Sequence, residues 1–149
     1  MLNRTFWKPK KQAIGYWVTT ALVGFAFAAG GLVDLLGAPQ VMCAMAHLGY
    51  PAYVASILGV WKLLGAGAIV APGLPRVKEW AYAGMFFDLT GAAISHAVLG
   101  DGASAVLTPL VLSALVAASW ALRPESRRLE GHAPPPAPYR LTAESQPTA

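Results

Sequence analysis

Residues 58–88 read LGVWKLLGAGAIVAPGLPRVKEWAYAGMFFD. Two apolar runs, each broken by a single charge near its middle, flank a Pro- and Gly-containing turn from Ala71 to Trp80. Lys62 stands nine positions before Ala71, and Asp88 nine positions after Glu79. At a helical rise of about 1.5 Å per residue, both charges lie about 13–14 Å from the same end of the hairpin. A charge at the centre of a bilayer costs roughly 2.5–3.5 kcal/mol. Opposite charges at one depth offset that cost by pairing, so Lys62 and Asp88 are the first candidates for a functional centre. A register clamp between two helices is the structural alternative.

The same pattern extends outward. Of 149 residues, 56% are hydrophobic and 12% charged, about half the charge of a soluble domain. The mean hydropathy is +0.50. Apolar stretches cover residues 15–36, 52–71, 79–99 and 103–122. Each is about 20 residues, enough to cross a hydrocarbon core of ~30 Å. Backbone groups cannot remain unpaired in lipid, so the expected fold is all-α, an antiparallel bundle of four transmembrane helices. Pro9, Pro39, Pro51, Pro72, Pro75 and Pro124 fall beside or between the spans. Pro109 falls inside the fourth and is expected to kink it or delay its start.

The basic residues give an orientation. Arg4, Lys8, Lys10 and Lys11 precede the first span, Arg76 and Lys78 lie in the second connection, and Arg123, Arg127 and Arg128 follow the fourth. The first and third connections contain neither Lys nor Arg. The positive-inside rule then puts both termini in the cytoplasm of a multi-pass inner (plasma) membrane protein. Ala26-Phe27-Ala28 after a basic start also resembles a signal-peptide cleavage site. The apolar run continues to Leu36, however, and is long enough to span. Residues 1–14 read as a basic segment against anionic lipid, and the Pro-rich residues 123–149 as a disordered cytoplasmic tail.

Further side chains suggest a pocket. Ala55, Gly59, Lys62, Ala66 and Ile69 share one helix face, as do Ala81, Gly84, Asp88, Gly91 and Ser95. Small residues allow close approach of membrane helices, so these faces are expected to meet. Trp61, Tyr53 and Tyr82 are the expected pocket walls around Lys62 and Asp88. A second, outer polar cluster comprises Asp34, His47, Ser95 and His96, with Asp101 close by in sequence. An Asp–His pair there suits proton exchange, and a water-satisfied cap is the alternative. The single cysteine, Cys43, excludes an intrachain disulfide. No zinc-ligand spacing is present, and no metal site is assigned.

The motifs Tyr16-Trp17, Asp34-Leu35 with Gly37 and Pro39, His47-Leu48-Gly49-Tyr50-Pro51, Leu58 to Gly65, Ala71 to Gly84, Phe87 to Ala92 and Ser95-His96 together resemble the DoxX-like family of small bacterial membrane proteins. The resemblance covers about Gly15 to Leu122. It implies a four-helix membrane bundle and an association with redox systems. It supplies no agreed catalytic residues. On this footing the chain is expected to be an accessory subunit of a quinone-linked membrane redox system that binds an apolar small molecule, without independent catalytic activity. A quinone is the cofactor class this admits. The expected partners are lipid, proteins of a redox complex and a second copy of the chain. A non-catalytic membrane scaffold and a small oligomeric carrier are the alternatives. Nucleic-acid binding is excluded, because the basic residues follow membrane topology rather than a groove-binding pattern.

Overall fold

A computed structural model describes residues 7–124, 127 and 128, with side chains from residue 12 onward. These residues form five helices: α1 (Trp7–Leu35), α2 (Pro39–His47), α3 (Tyr53–Val70), α4 (Pro75–Val98) and α5 (Ala103–Ala121). The first residues of the basic N-terminal segment, and nearly all of the Pro-rich tail, lie outside the described residues.

Helix α1 begins well before the expected Gly15. Pro9 falls in its first turn, where a missing N–H costs no helical bond, and Lys8, Lys10, Lys11 and Gln12 are good helix formers. The first connection holds a short helix, α2, with Pro39 pre-set at its first position. The α3–α4 reversal uses left-handed backbone at Gly73 (φ 67°) and Leu74 (φ 55°), after which Pro75 opens α4. Helix α5 starts at Ala103 and runs through Pro109, so the expected delay does not occur.

Among the described residues, three helices are long and apolar enough to cross a membrane: α1 over Gln12–Leu35, α3 over Tyr53–Val70 and α5 over Ala103–Ala121. Helix α4 has the length, at 24 residues, but Arg76, Lys78, Glu79, Asp88 and His96 make it more polar than the others. This departs from four equivalent apolar spans.

Packing explains where that polarity goes. The core joins Val23 and Phe27 of α1, Ala66 and Ile69 of α3, Tyr82, Met85 and Leu89 of α4, and Val116 of α5. Helix α1 packs most extensively on α3, and α4 on α5, while the α3–α4 seam is thinner. Gly31 and Gly59 set the α1–α3 approach. A Cβ on Gly31 would lie 2.9 Å from the Gly59 carbonyl, and one on Gly59 would lie 2.8 Å from the Gly31 carbonyl. The small-residue face of α3 is therefore buried as expected, but against α1 rather than α4. On α4 the expected face is corrected by about one residue. Lys78, Tyr82, Met85, Leu89 and Ala93 are buried, whereas Gly84 and Gly91 face open space. Turning Tyr82, Met85 and Leu89 inward makes far more dispersion contact within the bundle, and gives the Tyr82 hydroxyl a hydrogen-bond partner, which turning in glycines would not do.

Candidate functional site: an ion triad beside an apolar groove

Lys62 sits near the middle of α3 with a carboxylate on either side. Its Nζ donates to Asp34 Oδ2 at 2.8 Å and lies 3.8 Å from Asp88 Oδ2. Side-chain exposures are 9% for Asp34, 22% for Lys62 and 19% for Asp88. The Lys62–Asp88 pairing expected from depth is thus present, but a third member outranks it. Asp34, assigned from sequence to the outer cluster, is corrected to this site. Side chains on a helix lean toward its N-terminus. The N-termini of α3 and α4 lie at opposite ends, so Lys62 leans toward Asp34 and Asp88 leans the other way. Gly31, one turn before Asp34, packs against Gly59 and the Lys62 Cβ and brings the stem of Lys62 within reach.

Lys62 and Asp88 also end an apolar groove of about 450 Å³ along the α3–α4 seam. Its walls include Phe27, Leu58, Trp61, Leu64, Val77, Trp80 and Met85. Trp61 and Trp80 are largely exposed on its outer margins. Asp34 is not among the lining residues; it is buried on α1, behind Lys62. Two pocket assignments are corrected. Tyr53, in the first turn of α3, is exposed and away from the groove. Tyr82 lies in the core and hydrogen-bonds Ser119 at 2.8 Å, and Ser119 also bonds Thr20 at 2.7 Å. A phenol needs such a partner when buried, and this three-member network provides it away from the groove.

At the opposite end from the basic residues, Asp101 accepts from His96 Nδ1 at 2.6 Å and from His47 Nε2 at 2.8 Å. These two bonds, that from His96 first, hold the Asp101 carboxyl below its ordinary pKa. Asp101 is thus the hub of this cluster, though it stood only at its margin in the sequence reading. Ser95 bonds Tyr50 at 3.0 Å rather than either histidine. Both rings turn to the same carboxylate, not across a shared cavity.

The basic end holds a group of contacts that sequence reasoning missed. Lys78, read as a topology marker, is fully enclosed. Its Nζ donates to the Ala68 carbonyl at 2.8 Å and also to the Ala71 carbonyl. Arg127 reaches the Val70 carbonyl at 3.3 Å and stacks over Trp17, 4.7 Å from the ring centre. Two cations thus cap the last carbonyls of α3, where its dipole is negative. Enclosure, with Arg127 and Arg123 nearby, lowers the pKa of Lys78 from the usual lysine value. Glu79 binds Arg123 at 2.6 Å and accepts from Trp120 Nε1 at 2.8 Å, which ties α4 to α5. The 3–4 spacing of Lys78, Tyr82, Met85, Leu89 and Ala93 was the available signal for an inward Lys78.

No curated protein and no solved structure matches the chain. The motifs around Asp34, Lys62 and Asp88 do have a home, since the model of the DoxX-like family matches residues 18–119, and the chain belongs to that family.

Proposed function

We propose that this protein is an accessory subunit of a membrane redox system, and that its α3–α4 groove holds an apolar small molecule of the quinone class. In this reading α4 is a fourth span, its polar groups turned to Lys62, to the Asp101 cluster and to Arg123 rather than to lipid. Both termini then lie in the cytoplasm of the plasma (inner) membrane, on the side of Lys78, Arg123 and Arg127.

The groove itself carries the proposal. Ligand sites are typically concave and apolar with a few convergent polar groups. Here about 450 Å³ of apolar space ends on Lys62 and Asp88. Donation to Asp34 leaves Lys62 with two further N–H donors, suited to a quinone carbonyl. A quinone accepts electrons, and the chain has no recognisable flavin, haem or iron–sulfur motif to supply them, so a partner subunit is required. The test is extraction of the purified full-length protein for quinone, together with thermal stability against added short-chain quinone. Bound quinone, or a rise in Tm that Trp61→Ala and Gly84→Leu both reduce, supports the reading. A preparation without quinone and unmoved by quinone refutes it.

The scaffold alternative draws on the Asp34–Lys62 bond, which joins α1 to α3 and would serve a bundle that only recruits partners. The discriminating double variant is Asp34→Asn/Lys62→Met, since changing Lys62 with Asp88 would leave Asp34 buried alone. A stable double variant that still supports function in cells favours the scaffold. The carrier alternative requires a dimer, which crosslinking in native membranes would reveal.

A further inference from the structure

The triad is not electrically balanced. Asp34 and Lys62 form a neutral pair, hydrogen-bonded at 2.8 Å and partly buried between α1 and α3. Asp88 is then the surplus charge. It stands 3.8 Å from the ammonium, beyond hydrogen-bonding distance, and its side chain lines the groove. The charged groups facing it are Lys62 from α3, which is nearer and attracts it, and Asp34 from α1, which offsets part of that attraction; the three together still carry one negative charge more than positive. A carboxylate that is only partly compensated, at the end of an apolar groove beside hydrocarbon, is expensive unless a further positive charge or a proton arrives to meet it.

We propose that the groove selects its occupant by charge and prefers a lipophilic monocation to a neutral or anionic molecule of similar size. The positive head lies against Asp88. The apolar body runs along α4 toward Trp80, a span of eight residues, or about 12 Å. Trp61 and Trp80 line that path, and cations are attracted to aromatic faces. The open side of the groove admits a molecule already dissolved in the membrane. A neutral quinone fits the same walls and hydrogen-bonds Lys62, but gains nothing from the surplus charge. This inference rests on the reading of the groove as a ligand site and is independent of a redox role.

The experiment uses the full-length protein in nanodiscs of uncharged lipid, with empty nanodiscs as the baseline. Tetraphenylphosphonium and tetraphenylborate are near-identical in shape and opposite in charge, and a short-chain benzoquinone is the neutral probe. Binding is read by equilibrium dialysis and by quenching of tryptophan fluorescence. The expected result is saturable binding of the phosphonium about tenfold or more tighter than of the borate or the quinone. Asp88→Asn should lose that preference, and so should Asp34→Asn, because Lys62 is then free to neutralise Asp88. Asp88→Glu should retain it. The wild-type ratio alone decides the matter if a variant fails to fold. Equal binding of phosphonium and borate overturns the charge inference, as does quinone binding that is as tight as the cation's and indifferent to Asp88→Asn. In either case the groove stands as a ligand site. Binding of none of the three overturns both the inference and the groove reading.

Discussion

Replacing Lys62 by Met tests the energetic core of the site. The change removes an ammonium 2.8 Å from Asp34 and 3.8 Å from Asp88. With an effective dielectric constant of about 20, these separations correspond to gross attractions of roughly 6 and 4 kcal/mol. Desolvation consumes much of that in the intact protein, but removing one member leaves the others buried without a counter-charge, at roughly 3–5 kcal/mol. Lys62→Met is therefore expected to destabilise the fold by about 3–5 kcal/mol. Asp34→Asn should follow at about 2–3 kcal/mol, since it strands a charge that retains Asp88 as a weaker partner. Asp88→Asn should cost no more than about 1 kcal/mol, because no hydrogen bond is lost. The Asp34→Asn/Lys62→Met pair should be more stable than the sum of the single changes by at least about 1.5 kcal/mol. Reversible unfolding in mixed micelles, followed by tryptophan fluorescence and circular dichroism, measures all four. A Lys62→Met protein as stable as wild type, or an Asp88→Asn variant weaker than Asp34→Asn, would refute the assignment of Asp34 as principal partner.

Other parts of the molecule give sharp contrasts. Gly59→Ala places a methyl group 2.8 Å from the Gly31 carbonyl and should lower stability by about 1–3 kcal/mol. Gly84→Ala and Gly91→Ala meet nothing within 4 Å and should stay within about 0.5 kcal/mol of wild type in the same unfolding assay. Lys78→Met keeps the length of the stem but removes the donor to the Ala68 and Ala71 carbonyls. It should cost about 1–3 kcal/mol and speed amide hydrogen exchange in the last turn of α3 relative to its middle. The Asp101 cluster predicts a pH dependence. Its folded pKa is depressed, so its contribution is fully present above the ordinary value of 3.8 and is lost as pH falls through the lower folded value. Asp101→Asn should therefore narrow the stability gap between neutral and acid solution in a pH series of Tm measurements. A gap unchanged by the substitution would count against the two His–Asp bonds.

The apolar runs made the helical architecture legible, since a run of about 20 residues in lipid has no alternative to a helix. Depth counting also brought Lys62 and Asp88 together. It failed on Asp34 because it locates Cα atoms, whereas a lysine ammonium lies several ångströms along its own stem toward the helix N-terminus. The small-residue stripes were half informative. Gly59 marks a true close contact, but nothing in the stripe says which helix it meets. Gly84 and Gly91 have the same spacing and meet no helix at all. Tyr82 stands six residues before Asp88, and a helix turns such a pair roughly 120° apart, onto different faces. Lys78 was read as a topology marker, yet its helix phase matches the buried Tyr82 and Met85. Its partners are carbonyls at the end of the preceding helix, which every helix possesses and no sequence advertises.

The close α1–α3 contact and the open α3–α4 seam are two sides of one arrangement. Gly31 and Gly59 let α1 approach α3 closely, and that approach delivers Asp34 to Lys62. With its ammonium drawn toward α1, Lys62 no longer closes on α4 through Asp88, and the 3.8 Å separation records the weaker attachment. Helix α4 is held instead from its other side, by Tyr82–Ser119 and by Glu79 with Arg123 and Trp120. The seam between α3 and α4 is therefore left with few ties, and it opens into the groove. A pair of glycines on one side of α3 thus determines the charge and the accessibility of the site on the other. Gly59→Ala is accordingly expected to loosen the Asp34 bond and release Lys62 toward Asp88, lowering both stability and the cation preference. Stability lost with the preference intact would mean that the two features are independent.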